Sequence, residues 1–262
     1  MFKVLAIFVL ALGVYANPPD PAATLAEVIA NLPRNLKDTT AAIDKLKAAN
    51  SIWEQQNSKQ PLYAVSLEYV VGLLDAQDHF FESSAADPAA KTYALSLIDK
   101  AIALCTSTPD IDPAILAQAL EMKSDIVGED RLAPASLWSQ ASALRARIVS
   151  NLPDIPRDPS LSPSETLPPA EFSRPQAPHL VSKQEPRYSN FARMKKVSGS
   201  VSLSIVIDSD GIPRRIRLLK GIGYGLDEEA VAAVQKWRFA PGMKEGHPVP
   251  TPARVEVTFR LL

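Results

Sequence analysis

The chain has 262 residues, 46% of them hydrophobic and 22% charged, and a net charge of −1. That length admits two modest domains, and that balance excludes a wholly disordered chain. The near-neutral total excludes nucleic-acid binding as a property of the whole molecule.

Met1-Phe2-Lys3 precedes an unbroken apolar run from Val4 to Val14, and Val14-Tyr15-Ala16 then leads into Asn17-Pro18-Pro19. A short positive start, an apolar stretch and a small residue predict a secretory signal peptide over residues 1–16, cleaved after Ala16. The competing reading is an uncleaved anchor through residues 4–14, but a comfortable span needs about 20 apolar residues.

Residues 22–152 carry almost no strand signal. Asp20-Pro21, Asp87-Pro88 and Asp112-Pro113 each read as an N-cap followed by proline at the first helical position. Helices are expected over 21–32, 33–57, 61–84, 88–106, 113–127 and 134–151. Leu62, Tyr69, Leu73, Leu74 and Phe81 form the apolar stripe of the third, and Leu137, Ala141, Leu144 and Ile148 that of the last. Short connections imply an all-α bundle, with a degenerate helical repeat as the alternative. The single cysteine, Cys105, falls on an apolar stripe with Ala94, Leu97, Ile98 and Ala101 and reads as a buried small hydrophobe.

Residues 153–184 change character. Pro153, Pro156, Pro159, Pro163, Pro168, Pro169, Pro175 and Pro178 punctuate polar residues, as in a polyproline-biased linker.

Residues 185–262 read as a small α+β domain. Val201, Leu203, Ile205 and Ile207 alternate with Ser200, Ser202, Ser204 and Val206, which predicts a half-buried strand. Asp208-Ser209-Asp210-Gly211 supplies turn chemistry, and Ile216 and Leu218 alternate with Arg215 and Arg217 in a second strand. A helix follows, with Asp227 as the expected N-cap. Val255, Val257, Phe259 and Leu261 then alternate with Arg254, Glu256, Thr258 and Arg260 in a last strand. The result is a three-stranded antiparallel sheet, with the first strand central and the last at an edge. From Lys183 onward there are 14 Lys and Arg against 8 Asp and Glu, whereas the rest of the chain has 14 against 21. A basic module on an acidic body points to an anionic partner or surface, and a solvated basic face explains it equally well.

Glu185-Pro186-Arg187-Tyr188, Ala192-Arg193, Gly199-x-Val201, Asp210-Gly211, Leu226-Asp227, Ala230, Trp237-Arg238-Phe239-x-Pro241, Gly246 and Val255-x-Val257-x-Phe259 occur in this order. Together they resemble the C-terminal domain of the TonB family, over roughly the last third of the chain. One departure is Tyr188-Ser189, where the family has Tyr-Pro. The resemblance implies a role in transmembrane transport, in which the last strand pairs with a peptide of an outer-membrane TonB-dependent receptor. The site residues it implies are Arg254, Val255, Glu256, Val257, Thr258, Phe259 and Arg260. It implies a periplasmic location. It also implies contact with an inner-membrane motor, here through another subunit, because the apolar amino-terminal run lacks the histidine of the family's motor-binding helix. The competing function is a cell-envelope structural or adaptor protein that holds cell wall or a partner subunit without energy coupling.

The residues suggest neither an enzyme nor a cofactor. His79, His179 and His247 have no nucleophile with an orienting acid nearby. Asp75, Asp78, His79 and Glu82 share a helical face, where a solvated polar surface explains them as well as a metal site does. Asp208-x-Asp210-Gly211 lacks the later ligands of a calcium loop and reads as a turn. Trp237-Arg238-Phe239, at a helix end, reads as core packing.

Overall fold

The computed structural model describes residues 20–33, 35–78, 87–153 and 176–261. The signal peptide, most of the Pro-rich linker, and Phe81, His79 and Glu82 lie outside them.

Among the described residues six helices form the amino-terminal body: α1 (Pro21–Ala30), α2 (Leu36–Gln55), α3 (Pro61–Asp78), α4 (Pro88–Ser107), α5 (Pro113–Val127) and α6 (Leu137–Asn151). The Asp-Pro pairs start three of them. Asp20, Asp87 and Asp112 each accept the N–H two residues on, at 2.9–3.0 Å, while the proline at the first position has no N–H to leave unsatisfied. Gly128 closes α5 in the left-handed conformation.

Each helix packs on its sequence neighbours within the body, and α3 also touches α1 and α5. This makes α3 the central element. It is buried from Ala64 through Asp75 except for half-buried Val65, so its core face is wider than the expected stripe, while Leu62 is exposed. The buried line of α6 is Ala141, Arg145 and Val149, one residue round from the stripe read in the sequence. The shift arises because α6 packs between α5 on one side and the C-terminal domain on the other. Cys105 is buried with Ala94, Ile98 and Ala101, and burial pushes its thiol up to about 12.

In the C-terminal domain, α7 (Asn190–Met194) precedes β2 (Gly199–Ile207), β3 (Pro213–Lys220), α8 (Leu226–Val234) and β7 (Thr251–Phe259). The main sheet has the order β3-β2-β7, all antiparallel. Val201, Leu203, Ile205 and Ile207 point into the core beneath α8, and the intervening serines face outward. Asp208 organises the turn by accepting the N–H groups of Asp210 and Ile212 and pairing with Arg214 at 3.0 Å. Trp237 is buried and donates its indole N–H to the Gln184 carbonyl.

Two small ladders were not anticipated. β1 (His179–Ser182), at the end of the expected linker, pairs with β4 (Arg238–Ala240). β5 (Gly242–Lys244) pairs with β6 (His247–Val249) across Glu245-Gly246. Both of those turn residues have positive φ, as a two-residue hairpin with the strands' own twist requires.

Asp227 does not cap α8. Gly225 occupies the cap position without a side-chain hydrogen bond, and Asp227, inside the first turn, is buried. Its carboxylate instead accepts the N–H groups of Ile222 and Gly223 and so ties down the preceding loop. The last strand also lies earlier in the chain than expected, starting at Thr251 and not at Arg254. It ends at Phe259, and Leu261 is exposed.

Candidate partner-binding edge

β7 runs in unbroken register with β2, from Thr251 opposite Ile207 to Phe259 opposite Gly199. Val257 and Phe259 are buried and Val255 is half-buried, whereas Arg254, Glu256 and Thr258 are exposed. Arg260 lies just past the end of the strand, also exposed. The edge is anchored from beneath: the Tyr188 ring meets the Phe259 ring edge-on at 5.5 Å, and the Tyr188 hydroxyl donates to the Val197 carbonyl. Across the outer face, Ser200 and Thr258 hydroxyls are 3.0 Å apart and Ser202 donates to Glu256 at 3.4 Å. Among the described residues no strand pairs with the far side of β7.

The register indicates which groups face that open side. Pro252 pairs with Val206 and has no N–H. A proline within a sheet takes the position whose missing donor points away from its neighbour. In an antiparallel ladder these positions alternate, so Arg254, Glu256 and Thr258 direct both N–H and C=O outward. Arg254, Ser204 and Arg217 form one row across the sheet, and Glu256, Ser202 and Lys220 the next. Cations therefore outnumber carboxylates on the face beside the open edge.

The opposite margin is covered. α6 packs on β3 and α8, and α3 packs on α7. The loop Gly221–Gly225, which joins β3 to α8, enters the helical body with Tyr224 only 1% exposed. The Tyr224 N–H donates to Glu121 at 2.8 Å, its hydroxyl donates to Asp125, and its ring packs 6.1 Å from Trp138. Arg145, 1% exposed, donates to both Glu121 oxygens, and one of its nitrogens reaches both Glu228 oxygens at 2.8 and 2.9 Å. Burial opposes the guanidinium charge, but Glu121 and Glu228 outweigh it and keep Arg145 cationic.

A second ion cluster lies beside the first. Asp125 pairs with Lys195 at 3.0 Å and Arg131 at 2.6 Å. Burial alone would raise the Asp125 carboxyl, but Lys195 and the Tyr224 hydroxyl bring it below the ordinary value. Further along, the Tyr69 and Phe191 rings are 4.4 Å apart, and Asn190 donates to the Tyr69 hydroxyl. Ser189, which departs from the family's proline, has two roles. Its hydroxyl accepts the Ala192 N–H to cap α7 and donates to the Tyr224 carbonyl.

Sequence reasoning missed this contact. Glu121 and Arg145 sit on helices where single charges read as solvated. The available signal was Gly221-x-Gly223-Tyr224-Gly225, whose glycines flank an aromatic residue with no hairpin to explain them. Between α1, α2 and α7 lies a groove of about 930 Å³, lined by residues that include Val28, Leu32, Arg193 and Met194. Two of its charges are already engaged, Glu27 with Lys45 at 2.8 Å and Asp38 with Asn35 at 2.7 Å. Among the described residues no His, Cys, Asp and Glu group could hold a metal ion, and no helix is long and apolar enough to cross a membrane.

Residues 184–261 match the family described as Gram-negative bacterial TonB protein C-terminal. Protein TonB of Vibrio cholerae serotype O1 is 35% identical over 86 residues, which cover 32% of this chain and 35% of that relative. The chain thus spans about a third of the length of the curated relative it matches. The solution structure of the Pseudomonas aeruginosa TonB C-terminal domain is 26% identical and covers 35% of this chain and 91% of that one, with a TM-score of 0.29. The last third of the chain is a TonB C-terminal domain. The family match does not reach the helical body.

Proposed function

We propose that this is a periplasmic, non-enzymatic transport-coupling protein, and that its TonB C-terminal domain binds an extended segment of an outer-membrane receptor by strand addition at the outer edge of β7. The observation that carries the reading is the unpaired side of β7, whose described neighbours all lie toward β2. An open row of N–H and C=O groups is a template for a foreign strand. Each backbone hydrogen bond gained contributes about 0.5–1.5 kcal/mol net, and ordering the peptide costs about 1–2 kcal/mol per residue. Binding is therefore modest unless side chains add to it. Arg254 and Arg260 favour acidic neighbours on the outer face, while half-buried Ala253 and Val255 present an apolar border on the other.

The test is titration of the full chain with peptides from the periplasm-facing amino termini of outer-membrane receptors. Glu256→Pro removes one outward N–H and leaves the β2 ladder untouched. It is expected to weaken binding about tenfold, while Glu256→Ala stays near wild type. Equal binding by Glu256→Pro and wild type, with the fold retained, would refute strand addition at this edge.

A further inference from the structure

We propose that the face of the helical body formed by α3, α5 and α6 is a dedicated, reversible dock for the chain's own C-terminal domain, closed by the Tyr224 loop and the Arg145 ion cluster. The inference goes beyond the receptor-binding edge and does not depend on it.

The loop is shaped for the body. Gly223 has φ +78°, and a Cβ there would lie 2.8 Å from a Glu121 carboxylate oxygen and 2.9 Å from the Trp138 ring. Both obstructing groups belong to the helical body, so the missing side chain serves the contact between the two parts. The loop is also braced from inside its own domain. Asp227 holds the Ile222 and Gly223 N–H groups, and Ser189 holds the Tyr224 carbonyl. It thus presents Tyr224 as a preformed plug.

The chemistry of the contact suits opening and reclosing in one register. Its centre is charged: Arg145 and Lys195 against Glu121, Asp125 and Glu228. Buried ion clusters add little stability over apolar packing of the same volume, yet losing one partner leaves an uncompensated charge. Such a contact specifies geometry more than it adds strength. The family match spans 184–261 and none of α1–α6, which marks the domain as a unit to which the body is an addition.

Pro153 and Gln176 are both held against the domain, Pro153 by Gln235 at 3.5 Å and Gln176 by Met243 at 2.9 and 3.0 Å. Residues 154–175 join them. Their number alone sets an upper limit: 22 residues at about 3.1 Å each span on the order of 70 Å at full extension. Docking covers the β3 margin and leaves β7 open, so both states can present the edge.

The experiment uses the full chain with a protease site inserted among residues 154–175. After cutting, association is followed by gel filtration with light scattering, and the fold of each part by hydrogen exchange. The cut wild-type halves are expected to stay together as one body and one domain. Glu228→Arg and Tyr224→Ala are each expected to raise the dissociation constant about 100-fold or more, with protection in α2–α5 and β2–β7 retained. Arg254→Ala, at the far edge, should leave it unchanged. Separation of the wild-type halves would overturn the dock. So would persistent association in both variants, or loss of protection throughout the body, which would mean one cooperative fold. A cut species containing two bodies and two domains would mean docking between copies and would equally overturn it.

Discussion

Arg145 of α6 and Glu228 of α8 are 83 residues apart in sequence, yet one guanidinium nitrogen lies 2.8 and 2.9 Å from the two oxygens of one carboxylate. The remaining nitrogens of that guanidinium hold Glu121. One side chain thereby ties two helices of the body to the first turn of the domain's helix, and its removal strands two carboxylates at once. Arg145→Met is expected to lower stability by about 3–5 kcal/mol, measured by urea unfolding. Glu228→Gln should cost clearly less, because the Glu228 side chain is 25% exposed and Glu121 still satisfies Arg145.

Two glycines with nearly the same backbone angle separate strain from space. Gly211 has φ +76°, and a Cβ there would sit 1.9 Å from the Phe239 carbonyl oxygen, in a contact closed by the Phe239 N–H on the Gly211 carbonyl. Gly246 has φ +79° with nothing within 4 Å. Gly246→Ala should cost only the left-handed strain, about 1–2 kcal/mol. Gly211→Ala should cost at least twice that, because backbone must move. Paired thermal melts give the comparison, and equal losses would contradict the packing at Phe239.

Burial pushes the Asp227 carboxyl up to about 6, against the pull of the Ile222 N–H and Arg145. The folded state therefore keeps this proton to a higher pH than the unfolded chain, whose aspartates titrate near 3.9. Between about pH 4 and 6 the folded state binds more protons, so Asp227 makes stability fall as pH rises through that window, by roughly 3 kcal/mol in all. Burial raises Glu68 well above its usual value and acts in the same direction. Asp125, held low, acts oppositely, and only below its ordinary value. Denaturation midpoints at pH 4.5 and 7 should differ less in Asp227→Asn than in wild type.

Cys105 provides a probe that requires no engineering. With the thiol near 12 and the side chain buried, the thiolate fraction at pH 8 is about 1,000-fold or more below that of a free cysteine near 8.5. A thiol reagent should label the native protein at least that much more slowly than a model thiol, and labelling should accelerate sharply in denaturant. Fast native labelling would contradict the packing of α4.

The parts of the fold that follow local rules were legible in the sequence. Three Asp-Pro pairs marked helix starts, and alternation over 200–207 and 254–261 marked two strands and their inward faces, although the second runs from Thr251 to Phe259. The edge position of the last strand followed from connection rules. The parts settled by distant neighbours were not legible. Nothing near Arg145 in sequence reveals that Glu121 and Glu228 surround it, so the stripe of α6 was read one residue away from its buried line. Asp227 satisfies the usual description of a cap, and only in the folded structure is its carboxylate turned back to the loop. The β5–β6 hairpin went unread because three-residue strands are too short for alternation to register.

β2 is the central strand of the sheet, with β3 under the helical body on one side and β7 on the other, its outer side without a strand partner among the described residues. A receptor segment and the body would therefore never compete for the same atoms. Any influence of one upon the other would have to cross β2 through its hydrogen-bonded ladders, or pass along Ser189 and Tyr188 to the Phe259 ring. Measuring receptor affinity in chains with the body docked and undocked would show whether that central strand insulates or conducts.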